Sequence, residues 1–411
     1  MTAVAPRKRA GARGLMQALP ATRAEIDLDA LRSNVAAIRG SLEPGVQLLV
    51  VVKADGYGHG AIQVGRTALE AGASHLAVYT VPEALSLRNA GIAGPVLVLG
   101  PIDPSQAEAC VTAGITPAIA SMQLARALSQ RAVEAGMTVT YHLEVDTGLT
   151  RYGILVGEVG TFLKALKTLP GLKPEGIFTH YASADEPDPS KALTWQQFEL
   201  FRALLGALEE HGFHFSLRHA AASAAMLHCP AMDLDMVRCG ISVYGYYPSA
   251  HVSRRINLQP VMSLKSALAR VRTFEAGTGV SYGHEFVTSR RTIIGLVPFG
   301  YADGFPRCAG KHGHVLIAGR PAKIVGRVAM DQLMVDLTDV GPVAEGDEVV
   351  ILGRSGESRI TADDIAGWAG SISYEVLAGI GVRVPRVYLS AGRPVAIRHG
   401  MSMKPIELSG R

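Results

Sequence analysis

The sequence predicts an α/β protein: an N-terminal (β/α)8 TIM-type barrel followed by a C-terminal mainly-β domain. Three observations carry that prediction. From about Ala30 to Tyr247, short apolar runs alternate eight times with amphipathic stretches, the rhythm of parallel strands joined by helices. The runs are rich in Val, Leu and Ile, as in strands covered on both faces. After about Ser253 the texture changes to strand-like segments separated by glycine turns. Eight β–α units close most simply as a barrel. The expected boundaries are 1–22 for a basic flexible extension, 23–255 for the barrel and 256–411 for the β domain.

In chain order the barrel strands are read at LLVVVK, HLAVYT, PVLVLG, ITPAIA, VTYHLEVD, GIFTHYA, LRHAA and MVRCGISVYG. Helices are expected between them, as in HGAIQVGRTALEAG, PEALSLRNAG and QLARALSQRAVEAG, each ending on the glycine that commonly stops a helix. In the second domain, LKSALARVRTF, RTIIGLVPFG, GHVLIAGRPAKIVGRV, QLMVDLTDV and EVVILG read as strands. Only ITADDIAGWAG reads as a helix there, with Thr361 as its N-cap.

With 411 residues, 48% hydrophobic and 18% charged, the chain can bury a large core in two domains. No apolar run approaches the ~20 residues that span a bilayer, so no membrane role is expected. The net charge of +4 is local: Arg7, Lys8, Arg9, Arg13 and Arg23 precede the first acidic residue, Glu25. Removing those five from 40 leaves 35 basic against 36 acidic residues. A nucleic-acid protein keeps its basic face within the folded domain, so no nucleic-acid partner is expected. The segment GLMQALPA after the basic start is short and broken by Gln17, unlike a secretory signal, and a cytoplasmic protein is expected. Cys110, Cys229, Cys239 and Cys308 show no paired or metal-like spacing, and no metal site is expected.

In such a barrel the chemistry sits at the C-terminal ends of the strands. Lys53 ends the first apolar run, where a charged amine needs a partner or a chemical task. Asp146 and Arg151 in EVDTGLTRYG, His180 in FTHYASAD, His219 and Ser223 after the seventh strand, and Arg238 on the eighth share that placement. Each alone has an ordinary structural explanation; their common mouth does not. Ser223 and the RCGIS turn stand where barrels hold phosphate, with the N–H groups of Gly240 and Ile241 able to face it. A nucleophilic lysine beside a phosphate pocket points to pyridoxal 5'-phosphate, whose aldehyde condenses with an amine. Arg238 cannot give up its proton at working pH. Set against the pyridine nitrogen, it would leave that nitrogen neutral and the ring a weaker electron sink.

VVKADGYGHG, EVDTGLTRYG, FTHYASAD, VRCGISVYG, GVSYG, PFGYADGFPR, GRVAMDQ and ISYEVLAGIGVRVPRVY together resemble the alanine racemase family, in family order from about Glu25 to Leu389. The resemblance implies an isomerase that interconverts L- and D-alanine and supplies D-alanine for peptidoglycan. It implies a homodimer with pyridoxal phosphate on Lys53 and active sites shared between subunits. Tyr57, Ser223, Gly240, Ile241 and Tyr374 would hold the phosphate, and Arg151 would serve cofactor and substrate. Tyr282, Tyr301 and Met330 would enter from the partner. Asp185, His219, Arg307, Arg327, Asp331 and Ile372 would line or support the entrance. Racemisation removes a proton from one face of a planar carbanion and returns one to the other, so two bases are needed. The resemblance assigns them to Lys53 and Tyr282, with His180 hydrogen-bonded to Tyr282 and Arg238 supporting His180.

Two positions depart from the family pattern. Glu144 stands where many members carry a carbamylated lysine, and is expected to orient Arg151 by a charge-assisted hydrogen bond. Ala222 stands where asparagine is frequent. Alternatives remain: a racemase of other or broad specificity (serine, lysine), a same-fold decarboxylase, a non-catalytic cofactor carrier, and a metal-dependent hydrolase.

Overall fold

A computed structural model describes residues 20–187 and 193–400, with the backbone of 406–407; residues 1–19 of the basic extension lie outside the described residues. The chain divides into two compact units. One is Ala30–Gln259; the other runs from Pro260 and includes the described residues up to Asp29.

Among the described residues of the first unit, eight parallel strands follow one another in space: Gln47–Val51, His75–Val78, Val96–Val98, Thr116–Ile119, Val139–Asp146, Leu172–Phe178, Leu217–His219 and Met236–Cys239. The eighth pairs in parallel with the first, Met236 opposite Gln47. The seventh and eighth close the ring more loosely. Asp235 N donates to Arg218 O at 2.9 Å, Arg238 N to Ala221 O at 2.9 Å, and a bridge joins Ala222 to Arg238. This is the barrel that eight alternating units require. Leu48 to Val52 are all buried, as their unbroken apolar run demands.

Helices connect successive strands along the chain. Val81–Asn89 begins with a capping box in which Thr80 Oγ1 accepts from Glu83 N and Glu83 Oε2 accepts from Thr80 N, satisfying two N–H groups that a helix start leaves open. Inside the barrel, Leu49, Val51, Ala118, Phe178, Leu217 and Met236 form the core. Side chains alternate along a strand, so the same face carries on to residues two further along. Those positions are Lys53, His180, His219 and Arg238. His142, opposite Ala118, and Glu144 occupy the corresponding face of the fifth strand. Core packing and polar delivery therefore share one period.

The second unit is built on a sheet running Arg320–Lys323, His314–Ile317, Glu348–Ser355, Met262–Ala267, Arg23–Asp27, Arg386–Ser390, Arg393–Arg398 and Ile406–Glu407. A three-stranded sheet and a short hairpin, Gly279–Val280 with Phe286–Val287, complete it. Arg23–Asp27 was assigned to the barrel on the sequence. It instead pairs antiparallel with Met262–Ala267 and parallel with Arg386–Ser390. Its strand partners are more than 200 residues away, a pairing no local pattern announces. Thr361 caps Ala362–Ala369 as expected, accepting from Asp364 N at 3.1 Å. A second helix, Ser373–Ala378, was not expected; six residues are too few to display a helical period. Among the described residues, no helix is long and apolar enough to cross a membrane.

Candidate active site

Lys53 follows the first strand and opens a tight turn, Lys53–Tyr57. Ala54, Asp55, Gly56 and Tyr57 all have positive φ, between 51° and 63°. Successive left-handed residues cost roughly 1–2 kcal/mol each, so the turn must be held from outside. Glu83 Oε1 accepts from Ala54 N at 2.7 Å, Asp55 Oδ1 accepts from Ala61 N at 3.1 Å, and Gly56 N donates to Val52 O at 2.8 Å. The Lys53 ammonium lies 5.8 Å from the Tyr79 ring centre. Burial first, then the charge of Arg151, lower its pKa, which makes its amine easier to free than that of a surface lysine.

Arg238 is buried, with Nη2 donating to Thr179 O at 2.8 Å and Ala220 O at 3.0 Å. Its guanidinium also reaches His219 Nδ1 at 2.9 Å and His180 Nδ1 at 3.1 Å. Arginine only donates, so both imidazoles accept at Nδ1 and carry their proton on Nε2. Burial pushes Arg238 down to about 10, leaving it charged at neutral pH. Burial and then Arg238 push His180 down to about 3, so it is a neutral N–H donor. Gln197, not singled out on the sequence, holds His180 through its carbonyl at 3.1 Å. His219 was expected at the entrance. It is instead wholly buried, stacked on Phe178 at 4.8 Å and bonded to His142 at 2.8 Å, because it shares the inward face of Leu217.

Ser223 Oγ accepts from Gly240 N at 3.1 Å and Ser242 N at 3.4 Å. The Gly240 amide is thus engaged by Ser223. Ile241 heads the buried turn Ile241–Tyr244. A Cβ on Gly240 would meet the Tyr57 hydroxyl at 2.4 Å, so glycine is required for that hydroxyl to reach the turn. Tyr57 stacks on Tyr244 at 4.8 Å, whose hydroxyl donates to Val51 O. Ser242 Oγ is buried without a hydrogen-bond partner, an arrangement that calls for an acceptor or donor from a bound group. A strand-end lysine with a lowered pKa, an orphan hydroxyl beside a glycine turn and a fixed guanidinium fit pyridoxal phosphate.

Asp146 Oδ1 accepts from Gly148 N and Thr150 N, shaping the loop that carries the exposed Arg151. Glu144 is buried and was expected to bond Arg151. That bond is not formed, and Glu144 Oε2 has no partner. Burial pushes Glu144 up to about 7 against the opposing charges of Arg238 and Arg151. At this pKa it is a carboxyl shared between protonated and ionised forms at neutrality. Asp185 is exposed, its carbonyl accepting from Ser249 Oγ at 2.9 Å.

The remaining expected residues lie on the second unit. Tyr282 is 70% exposed, which excludes a core tyrosine. It follows Ser281, whose φ of 62° and ψ of −171° are glycine territory. Ser281 Oγ donates to Arg327 O at 2.7 Å, and Arg327, paired with Glu285 at 2.6 Å, covers Gly283. Tyr301 and Met330, both exposed, sit on loops stitched by Tyr301 N to Ala329 O and Ala302 N to Met330 O. Asp331 pairs with Arg383 at 2.7 Å. Arg307 and Ile372 are exposed, and Tyr374 is half-buried on Ser373–Ala378.

Fold and site together define a (β/α)8-barrel enzyme with a lysine at the end of its first strand and a buried guanidinium on its eighth. A family model described as "Alanine racemase, N-terminal domain" matches residues 26–248, and one described as "Alanine racemase, C-terminal domain" matches 261–388. The chain is 44% identical to an alanine racemase of Desulforamulus reducens over 368 residues, 89% of this chain and 98% of that relative. It is 44% identical to one of Desulfosudis oleivorans, covering 91% and 98%. A solved alanine racemase of Clostridium difficile superposes with a TM-score of 0.89 at 37% identity, covering 93% of this chain and all of that one. One of Bacillus anthracis with bound L-Ala-P gives 0.87 at 36% identity, covering 93% and 98%. The chain belongs to the alanine racemase family.

Proposed function

We propose that the protein interconverts L-alanine and D-alanine, using pyridoxal phosphate and one base from each protomer of a homodimer. The observation that carries this is Lys53, mounted on a strained turn at the barrel mouth with its amine pKa lowered by burial and Arg151. Tyr57, Ser223, Gly240, Ile241 and Tyr374 would hold the cofactor's phosphate, and Arg238 would donate to its ring nitrogen. When bound, pyridoxal phosphate supplies an electron sink that acidifies the α-hydrogen of an amino acid.

The chain's own residues then divide the proton work. Lys53 Nζ takes or returns the α-proton on the D face. Tyr282 Oη, supplied by the partner, serves the L face, with neutral His180 donating its Nε2–H to the phenol oxygen and so favouring the phenolate. Arg238 remains a fixed donor and restrains side reactions. Arg151 meets the substrate carboxylate, and Tyr301 and Met330 of the partner close the pocket. The exposure of Tyr282, Tyr301, Met330 and Ile372 supports a second copy covering this surface, since large exposed apolar groups mark interaction sites. The four cysteines are free, which suits a reducing cytoplasm, where D-alanine would feed peptidoglycan synthesis.

Incubation of the purified protein with L-alanine and separately with D-alanine, with and without added pyridoxal phosphate, tests this reading. Both should lose optical rotation completely, fastest with cofactor. Release of carbon dioxide, or unchanged rotation, would refute it. In Tyr282→Phe, exchange of the α-proton with solvent should fall for L-alanine far more than for D-alanine; equal loss would contradict the assignment of faces.

A further inference from the structure

Arg238 marks one end of a buried polar chain that continues through the barrel to its opposite mouth. Arg238 Nη1 lies 2.9 Å from His219 Nδ1. His219 Nε2 lies 2.8 Å from His142 Nδ1, and His142 Nε2 lies 3.3 Å from Glu175 Oε2. His142 and His219 are wholly buried. Gly176 makes room for them: a Cβ there would meet His142 Nδ1 at 2.4 Å.

Donor rules fix the direction of every link. The guanidinium can only donate, so His219 Nδ1 accepts and its single proton sits on Nε2. His219 is neutral, since burial and Arg238 hold its pKa well below the ordinary value. Its Nε2–H therefore donates to His142 Nδ1. That nitrogen, having accepted, leaves the His142 proton on Nε2, aimed at the Glu175 carboxylate. Glu175 is held below its usual pKa, first by this hydrogen bond. The chain thus runs from a fixed cation to a fixed anion through two neutral rings of one tautomer. Such a chain polarises each of its bonds in the same sense.

We infer that Glu175 and His142 are positioning residues for the racemisation: they lock His219 as an acceptor and so fix the orientation in which Arg238 presents its remaining donors at the active-site mouth. The inference rests on the racemase reading above and assigns that reaction a counter-ion at the far end of the barrel. Glu175 touches neither substrate nor cofactor and acts only through His142, His219 and Arg238.

Two measurements test it on the full-length holoenzyme. Neutron diffraction from wild-type crystals reads ring deuterons directly, and should find them on Nε2 of both His142 and His219 and on neither Nδ1. A deuteron on Nδ1 of either ring overturns the chain. For kinetics, the Glu175 side chain is 32% exposed, so Glu175→Gln and Glu175→Lys both fit, and thermal melting checks their folding. Glutamine still accepts from His142 and should keep kcat within about threefold. Lysine presents only donors, opposes the chain and should lower kcat roughly tenfold or more with little change in KM, the scale on which losing the hydrogen-bond partner of a metal-bound histidine lowers activity. Equal kcat for the two variants overturns the inference. Should the wild-type enzyme racemise no amino acid, the functional reading fails, while the deuteron positions still decide the chain.

Discussion

Glu144 makes the sharpest stability prediction. The residue is 3% exposed, Oε2 has no partner, and burial raises its pKa from 4.5 to about 7. In the unfolded chain it ionises near its ordinary value. Below pH 4.5 both states are protonated and the group contributes nothing to pH dependence. Between pH 4.5 and 7 the unfolded chain releases a proton that the folded chain keeps, so stability falls as pH rises through that window. Above about pH 7 the loss is complete. At about 1.4 kcal/mol per tenfold change in proton affinity, the full loss is about 3 kcal/mol, of which roughly 2–3 falls between pH 5 and 8. Glu144→Gln cannot ionise and so lacks this slope. Urea unfolding of wild type and Glu144→Gln at pH 5 and pH 8, at one protein concentration, should show the variant gaining about 2–3 kcal/mol relative to wild type at the higher pH. Asp233 is also pushed up to about 7 by burial, but it is common to both proteins and cancels in the difference. Parallel stability profiles for the two proteins would refute the reasoning.

Gly240→Ala should weaken pyridoxal phosphate binding roughly ten- to hundredfold, the scale of overpacking a filled site, because the new methyl meets the Tyr57 hydroxyl at 2.4 Å. Titration of the cofactor-free protein by absorbance reads this, and unchanged affinity in Gly240→Ala would contradict the close approach of the Tyr57 hydroxyl. Thr361→Ala removes one half of a capping box and should cost about 1 kcal/mol in denaturant unfolding, with wild-type cofactor affinity retained.

The barrel was legible because its strands are short apolar runs whose length and spacing are local properties. Lys53, His180 and Arg238 were legible as strand-end polar residues, and Thr361 as a helix start. Arg23–Asp27 was misassigned because a five-residue strand shows no sign of which distant edge it joins. His142 carried a signal that went unused: in VTYHLEVD it alternates with Glu144 on the face that lines the barrel. The error at His219 has the same root. Strand-end position suggests solvent, while inward parity places the ring under Arg238, and parity decides. The missing Glu144–Arg151 bond reflects a quantity the sequence does not display, since burial keeps the carboxyl near half-protonated.

The two candidate bases are mounted alike, and this similarity is the physical argument for their roles. Lys53 opens a run of left-handed residues, and Tyr282 follows a serine in a glycine-only conformation. A flexible loop could place either side chain without strain, but it would spread the reacting atom over many positions. Both mounts instead keep an unfavourable backbone that neighbouring groups enforce, Glu83 and Asp55 around the first and Arg327 beside the second. Backbone strain of this kind persists only where surrounding structure over-determines it, and it collects where a side chain must be aimed. A proton transfer needs its base within hydrogen-bond reach of one carbon. Two bases on opposite faces need that twice, so rigidity at both mounts is what a two-base racemisation requires of the backbone.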